Sequence, residues 1–240
     1  MLVAAAVCPC PPLLVPDVAA GAAPELDAAR SACADALGVL AAARPDLLVV
    51  VGPAGAGGSG SFPEGSEGSF SGFGVSLTVR LGEVPEGSPV PERRGLPASL
   101  AVGAWLLARA RWTAAPAEGL GMEERSAAAD CERTGRDLAA RADRVALLVM
   151  GDGSACRTVK APGYLDERAV DFDAAAVRAL GSADLAALRA LDGSLAYELK
   201  VSGRAPWQVL EGAARGAGLG GQLLYEDAPY GVGYAVAAWS

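Results

Sequence analysis

Leu47-Leu-Val-Val-Val51 is an unbroken apolar run, bounded by Arg44-Pro45-Asp46 on one side and Gly52 on the other. It is too short for a buried helix and rich in β-branched residues. It therefore reads as a strand covered on both faces, as in the parallel sheet of an α/β fold. Upstream, residues 24–43 predict a helix: Pro24 suits a first turn, Glu25 and Asp27 favour its positive end, and Leu26, Ala29, Cys33, Leu37 and Leu40 share one face. Further upstream, residues 2–7 form a second apolar run, ended by Cys8-Pro-Cys-Pro-Pro, whose prolines forbid ladder bonding. Strand, helix and strand in this order predict a parallel pair with a crossover.

Downstream, residues 52–72 are dense in Gly, Ser and Glu and read as a long loop. Residues 73–81 alternate as a strand would, with Val75, Leu77, Val79 and Leu81 on one side, and residues 85–91 are turn material. Residues 97–111 predict a helix, and residues 123–141 a more polar one lying on the surface. Residues 145–150 are a further buried strand, halted at Gly151-Asp-Gly-Ser. Residues 171–216 give three or four short helices. Two closing strands, 222–226 and 233–239, follow. With no repeat and no linker, residues 1–240 read as a single three-layer α/β/α domain around a mixed, largely parallel sheet.

Composition narrows the chemistry. The chain has 240 residues and no histidine, which removes histidine triads, His-based zinc sites and the two-histidine iron site. A net charge of −8 with no basic stripe speaks against nucleic acid; the densest cationic spot, Arg93-Arg94, is flanked by Glu92. No apolar run spans a membrane, and the first residues lack the cationic start of a signal peptide. The five scattered cysteines are therefore expected as reduced thiols in a cytoplasmic protein. The excess of Arg, Ala and Gly fits GC-rich coding, as in actinobacteria.

Four motifs carry candidate chemistry. Gly55-Ala-Gly-Gly-Ser-Gly60 matches a dinucleotide string but runs on into Ser61-Phe-Pro-Glu-Gly, with no helix start to hold a pyrophosphate and no Gly-Lys-Ser/Thr, so a plain loop is favoured. Asp152 and Ser154 stand where a strand ends, the edge on which open α/β sheets hold ligands; they read equally as pocket residues or as caps of the next segment. Cys8 and Cys10 fall on the same edge and, with Cys156, are metal candidates, against the usual reading of a free cysteine as a small buried hydrophobe. Glu226 and Asp227 end a late strand and, if both are extended, face opposite sides, so that at most one enters a shared pocket. Paired with Asp152, either is a candidate for carboxylate or divalent-cation chemistry. Trp207, Tyr225 and Tyr230 are candidates for an aromatic cavity or for core.

Taken in order, Val7-Cys-Pro-Cys-Pro-Pro-Leu-Leu-Val-Pro, the strand at 47–51, the loop to Gly72-Phe-Gly, Met150-Gly-Asp-Gly-Ser-Ala and Leu224-Tyr-Glu-Asp-Ala-Pro-Tyr-Gly-Val-Gly-Tyr resemble a known family. It is the class III extradiol ring-cleavage dioxygenase family, of the B type, in its alanine-rich actinobacterial branch. The resemblance implies one α/β domain with a non-haem Fe(II) site at one end of the sheet. It places one histidine ligand after the first strand, where Cys10 is the counterpart. A second falls after the next strand, where only Ser, Gly, Glu64 and Glu67 are offered. A carboxylate falls at Glu226 or Asp227, and an acid–base histidine where Gly153-Ser154-Ala155 stands. Each histidine role is vacant.

The leading expectation is thus a catalytically lapsed relative that keeps a pocket for a small molecule or partner and needs no cofactor. One alternative is a divalent-metal enzyme, hydrolytic or proton-transferring, built on Cys10, Asp152, Glu226 or Asp227. The other is a structural protein that forms a homodimer.

Overall fold

The computed structural model describes residues 1–55, 57–83 and 94–240. In chain order the elements are β1 (Leu2–Cys8), α1 (Pro16–Ala19), α2 (Asp27–Ala42), β2 (Leu47–Ala54), β3 (Gly60–Phe62), β4 (Glu67–Ser69), β5 (Thr78–Arg80), α3 (Ala98–Arg109), β6 (Ala117–Glu123), α4 (Ala128–Ala139), β7 (Val145–Met150), α5 (Arg168–Ser182), α6 (Leu185–Arg189), α7 (Gly193–Glu198), α8 (Arg204–Ala214), β8 (Gly221–Asp227) and β9 (Tyr234–Trp239).

A seven-stranded sheet runs β3-β6-β2-β7-β1-β9-β8. Its centre, β6-β2-β7-β1, is parallel, and antiparallel strands flank it on both sides. β1 and β2 are parallel as expected but not neighbours, because β7 lies between them and pairs with both. The register brings Cys8 opposite Met150, and Val51 opposite Val149, so β1, β7 and β2 end nearly level.

Helices cover both faces, which is why β1, β2 and β7 carry no charged side chain. Ala4, Ala6 and Cys8 of β1 pack toward α2 and α3, whereas Ala5 and Val7 pack toward α5 and α8. The predicted face of α2 is fully inward: Leu26, Ala29, Cys33, Leu37 and Leu40 are all buried. Trp239, also fully buried, donates its indole N–H to the Leu180 carbonyl at 2.7 Å, giving the one polar atom of a large apolar ring its partner. The short helices α6 and α7 start where Asp184 and Asp192 accept from the amides of Ala187 (3.0 Å) and Leu195 (2.7 Å).

Several expectations need correction. The polar helix expected over 123–141 is α4 alone, shorter but on the surface as expected: Asp130, Arg133, Arg136 and Asp137 are exposed, and only Cys131, Gly135 and Leu138 turn inward, against α8. A Cβ on Gly135 would lie 2.0 Å from the Val209 carbonyl oxygen, so only glycine lets the two backbones approach this closely. The residues ahead of α4 form β6, a strand not foreseen. The strand expected over 73–81 shrinks to β5, preceded by a single 3-10 turn (Ser71–Phe73), and pairs with β4 in a hairpin lying on α3. The loop expected over 52–72 contains the end of β2 and the whole of β3 and β4. The turn expected over 85–91, and Glu92 and Arg93, lie outside the described residues. No helix among the described residues is long and apolar enough to cross a membrane.

Candidate functional site

The ends of β1, β2 and β6 open onto a cavity of about 480 Å³ lined by Cys10, Pro53, Ser99, Arg94, Glu124 and Ser202, among others. Crevices at the carboxyl ends of parallel strands are where open α/β sheets take ligands, because loops from several strands converge there. Two chain segments close this one. Glu124 follows β6, and Ser99 sits in the first turn of α3, its hydroxyl donating to the Pro53 carbonyl at 2.6 Å. Arg94 donates to the carbonyls of Gly57 (3.1 Å) and Ser59 (2.8 Å) and lies 4.4 Å from the centre of the Phe62 ring. It thereby fixes the glycine-rich segment after β2, which continues into β3 and not into a helix.

Behind Cys10 and Ser202, which line the cavity, Asp152 Oδ1 accepts the Cys10 amide at 2.8 Å, and the Asp152 amide donates to the Ser202 hydroxyl at 3.0 Å. Asp152 therefore joins the exits of β1 and β7 to the turn before α8; it does not cap the segment that follows it. Asp152 is half-buried by surface area, yet closely enough surrounded that desolvation raises its carboxyl to about 7, with the Cys10 amide and thiol pulling the other way. Burial first, and then the Asp152 charge, push the Cys10 thiol well above its usual range, opposed by the Ser202 hydroxyl. The phenol of buried Tyr234 is raised likewise, by burial and then by the charges of Asp152 and Cys10. Near neutral pH the thiol stays protonated while the carboxyl beside it takes up or releases a proton, so the Cys10 side chain can offer the cavity a hydrogen-bond donor or acceptor.

The other candidates are placed elsewhere. Cys8 is fully buried beside Cys33 of α2, its thiol raised by that neighbour and by burial. Cys156 donates its thiol to the Leu199 carbonyl at 3.4 Å. Ser154 is fully buried, its amide and hydroxyl both donating to Asp173 at 2.7 Å. Arg157 completes that clasp with an ion pair to Asp173 at 3.0 Å. Glu226 and Asp227 are exposed and line a separate cavity of about 220 Å³ with Arg157, Asp173 and Trp207. Both border it, although Asp227 is still in β8, paired with Tyr234, and its carboxylate accepts from the Tyr225 hydroxyl at 3.5 Å and the Ala228 amide at 2.7 Å. Trp207 lines that cavity while Tyr225 and Tyr230 pack against the other core layer, so the three do not form one aromatic cavity. Among the described residues no group of three or more His, Cys, Asp or Glu is gathered as a metal would require.

Ser202, Glu124 and Arg94, which line this cavity, and Tyr234, which lines the smaller one, were not foreseen as site residues. They come from distant stretches with no motif to mark them. Asp173 did leave a signal: a carboxylate on the buried face of α5, between Phe172 and Ala176.

No protein-family model and no curated protein matches this chain. Among solved structures it is similar to an uncharacterized protein from Escherichia coli K12, JW3007, with 17% identity, a TM-score of 0.59 and 99% of each chain covered. At that identity the likeness shows the shared fold alone.

Proposed function

We propose that the protein is an extradiol dioxygenase-like chain that has lost iron chemistry and uses the cavity at the sheet's end to bind a small polar molecule. The observation that carries this reading is the Cys10–Asp152 pair. Cys10 occupies the exit of β1, where the family resemblance would put an iron ligand, and lines an open cavity, with Asp152 behind it accepting its amide. The residues there do not fit a two-histidine, one-carboxylate iron site: there is no histidine, and Glu226 and Asp227 line a different cavity. What they do fit is hydrogen bonding to a polar ligand, through Cys10, Ser202 and Glu124. In this reading the protein is cytoplasmic and its five cysteines stay as the free thiols seen in the structure.

The test uses untagged protein, metal analysis, oxygen uptake with catechol, and a thermal-shift screen of small phenols and organic acids. The reading expects sub-stoichiometric iron, oxygen uptake at background, and at least one compound that raises the melting temperature. That gain should disappear in Gly95→Trp, which fills the cavity from a position where a Cβ meets nothing nearer than the Glu67 carbonyl oxygen at 3.9 Å. Stoichiometric iron with ring cleavage would overturn it.

A second reading is favoured by one specific feature, the Asp152 carboxyl at about 7 beside a thiol. In that reading Asp152 gives and takes the proton, and Cys10, which stays a thiol, relays it by hydrogen bonding to a substrate in the cavity. It predicts a bell-shaped or sigmoidal rate profile centred near pH 7 that Asp152→Asn abolishes while ligand binding persists.

A further inference from the structure

A third cavity, of about 670 Å³, opens away from the sheet's end, between the start of α4 and the turn from α6 into α7. It is lined by Arg125, Ser126, Ala127, Asp192, Ser194 and Arg204, among others. Its charge arrangement is unusual for so acidic a chain. Arg204 is 3% exposed, and its guanidinium meets no carboxylate among the described residues. It donates to the Ser126 carbonyl at 2.6 Å, to the Gln208 side-chain oxygen at 3.0 Å and to the Glu124 carbonyl, while its Nε has no partner among the described residues. A buried cation satisfied only by neutral dipoles is expensive to hold, and a nearby anion relieves it.

Two independent features point the same way. Arg125, exposed at the cavity's rim, stacks 3.8 Å from the centre of the Tyr197 ring and makes no ion pair among the described residues. The α4 helix begins at Ala128, and Ala127 before it supplies no side-chain cap, so the positive end of the helix dipole borders the same space through Ala127 and Ala128. The acids that line the cavity are already engaged: Glu198 pairs with Arg168 at 2.8 Å, and Asp192 accepts the Leu195 amide at 2.7 Å. Gly193 keeps the approach to Arg204 open, since a Cβ there would sit 3.6 Å from Cζ, 3.7 Å from Nη2 and 3.8 Å from Nε.

We propose that this cavity binds a small metabolite through an oxyanion, carboxylate or phosphate, held by Arg125, Ser126 and the uncapped start of α4 over the buried Arg204 guanidinium. The site is distinct from the Cys10–Asp152 cavity and stands whether or not the reading of that cavity holds.

Isothermal titration at constant ionic strength, with inorganic phosphate and separately with acetate, tests it. Saturable binding of at least one probe is expected; the tighter of the two identifies the oxyanion, phosphoryl or carboxylate. Arg125→Ala should weaken it about tenfold, the usual worth of one charge-assisted hydrogen bond. Gly193→Glu, which offers the Arg204 guanidinium a carboxylate of its own, should abolish binding, while the uncharged Gly193→Gln should weaken it less. Circular dichroism establishes that each variant is folded. No saturable binding of either probe, or binding indifferent to Arg125→Ala and Gly193→Glu, would overturn the proposal.

Discussion

The amide of Cys10 donates to the Asp152 carboxylate at 2.8 Å, linking the exits of two adjacent parallel strands 142 positions apart in the chain. Burial sets how the site responds to pH, and that bond works against it by favouring the ionised carboxylate. The Asp152 carboxyl titrates at about 7 in the folded protein against an ordinary value of 3.8. Between those values the folded chain keeps a proton that the unfolded chain has released. Stability from this group is therefore complete below about pH 4, is lost as pH rises toward 7, and then levels off. Asp152→Asn keeps an acceptor for the Cys10 amide and removes the titration. Urea unfolding from pH 4 to 8 should show the variant gaining on the wild type across that window. A carboxyl resonance of the wild type should titrate near pH 7 by NMR. A stability difference flat with pH would contradict this.

Thiol reactivity should single out Cys10. All five cysteines are buried, but Cys10 alone among them lines the sheet-end cavity. Iodoacetamide should therefore label the folded protein slowly and at Cys10 first, as read by peptide mass mapping. Because the Asp152 charge helps hold the thiol protonated, Asp152→Asn should speed that reaction at pH 8. Earlier labelling of Cys33 or Cys131 would count against the geometry.

The Ser154–Asp173–Arg157 clasp is structural. Asp173→Ala leaves two Ser154 donors and a half-buried guanidinium without their acceptor, and should cost about 3 kcal/mol in urea unfolding. Asp173→Asn, which can still accept from Ser154, should cost about half as much.

The α4–α8 contact should be intolerant of a single methyl group. A Cβ on Gly135 would stand 2.0 Å from the Val209 oxygen, and one on Gly212 2.2 Å from the Glu132 oxygen. Either glycine replaced by alanine should lose about 3 kcal/mol, because backbone cannot yield as a side chain does. Gly38→Ala, on the exposed face of α2 with nothing within 4 Å, should instead gain about 0.5–1 kcal/mol. Thermal melts of the three variants provide the comparison.

The core strands and α2 were legible because burial on both faces writes itself as unbroken or evenly spaced apolar residues. β6 was not: its run Ala117-Glu-Gly-Leu-Gly-Met-Glu123 puts glycine where an apolar side chain would announce a strand. Those glycines answer to tertiary neighbours, since a Cβ on Gly121 would come 2.5 Å from the Gly58 oxygen. Asp152 and Cys10 could be placed on one edge from strand ends alone. Ser202 and Tyr234 could not, because what brings them there is the packing of the α8 turn and of β9, which no local pattern encodes. Glu226 was misplaced for a related reason: a position at a strand's end says which edge it lies on, but not which layer's cavity it borders.

The clasp around Ser154 also limits what this scaffold can be converted into. Ser154 is fully enclosed, and a Cβ on the preceding Gly153 would fall 2.9 Å from Asp173 Oδ1 and 3.0 Å from the Gly233 oxygen. An imidazole introduced at Ser154 would have to expel Asp173 and rebuild the start of α5, whereas one at Cys10 would border open space. Engineering a histidine-based metal centre here is thus a one-sided problem. One corner can be changed by a single codon, and the other is locked by a packed layer, so any path between such a centre and the present chain runs through the interior and not along the pocket wall.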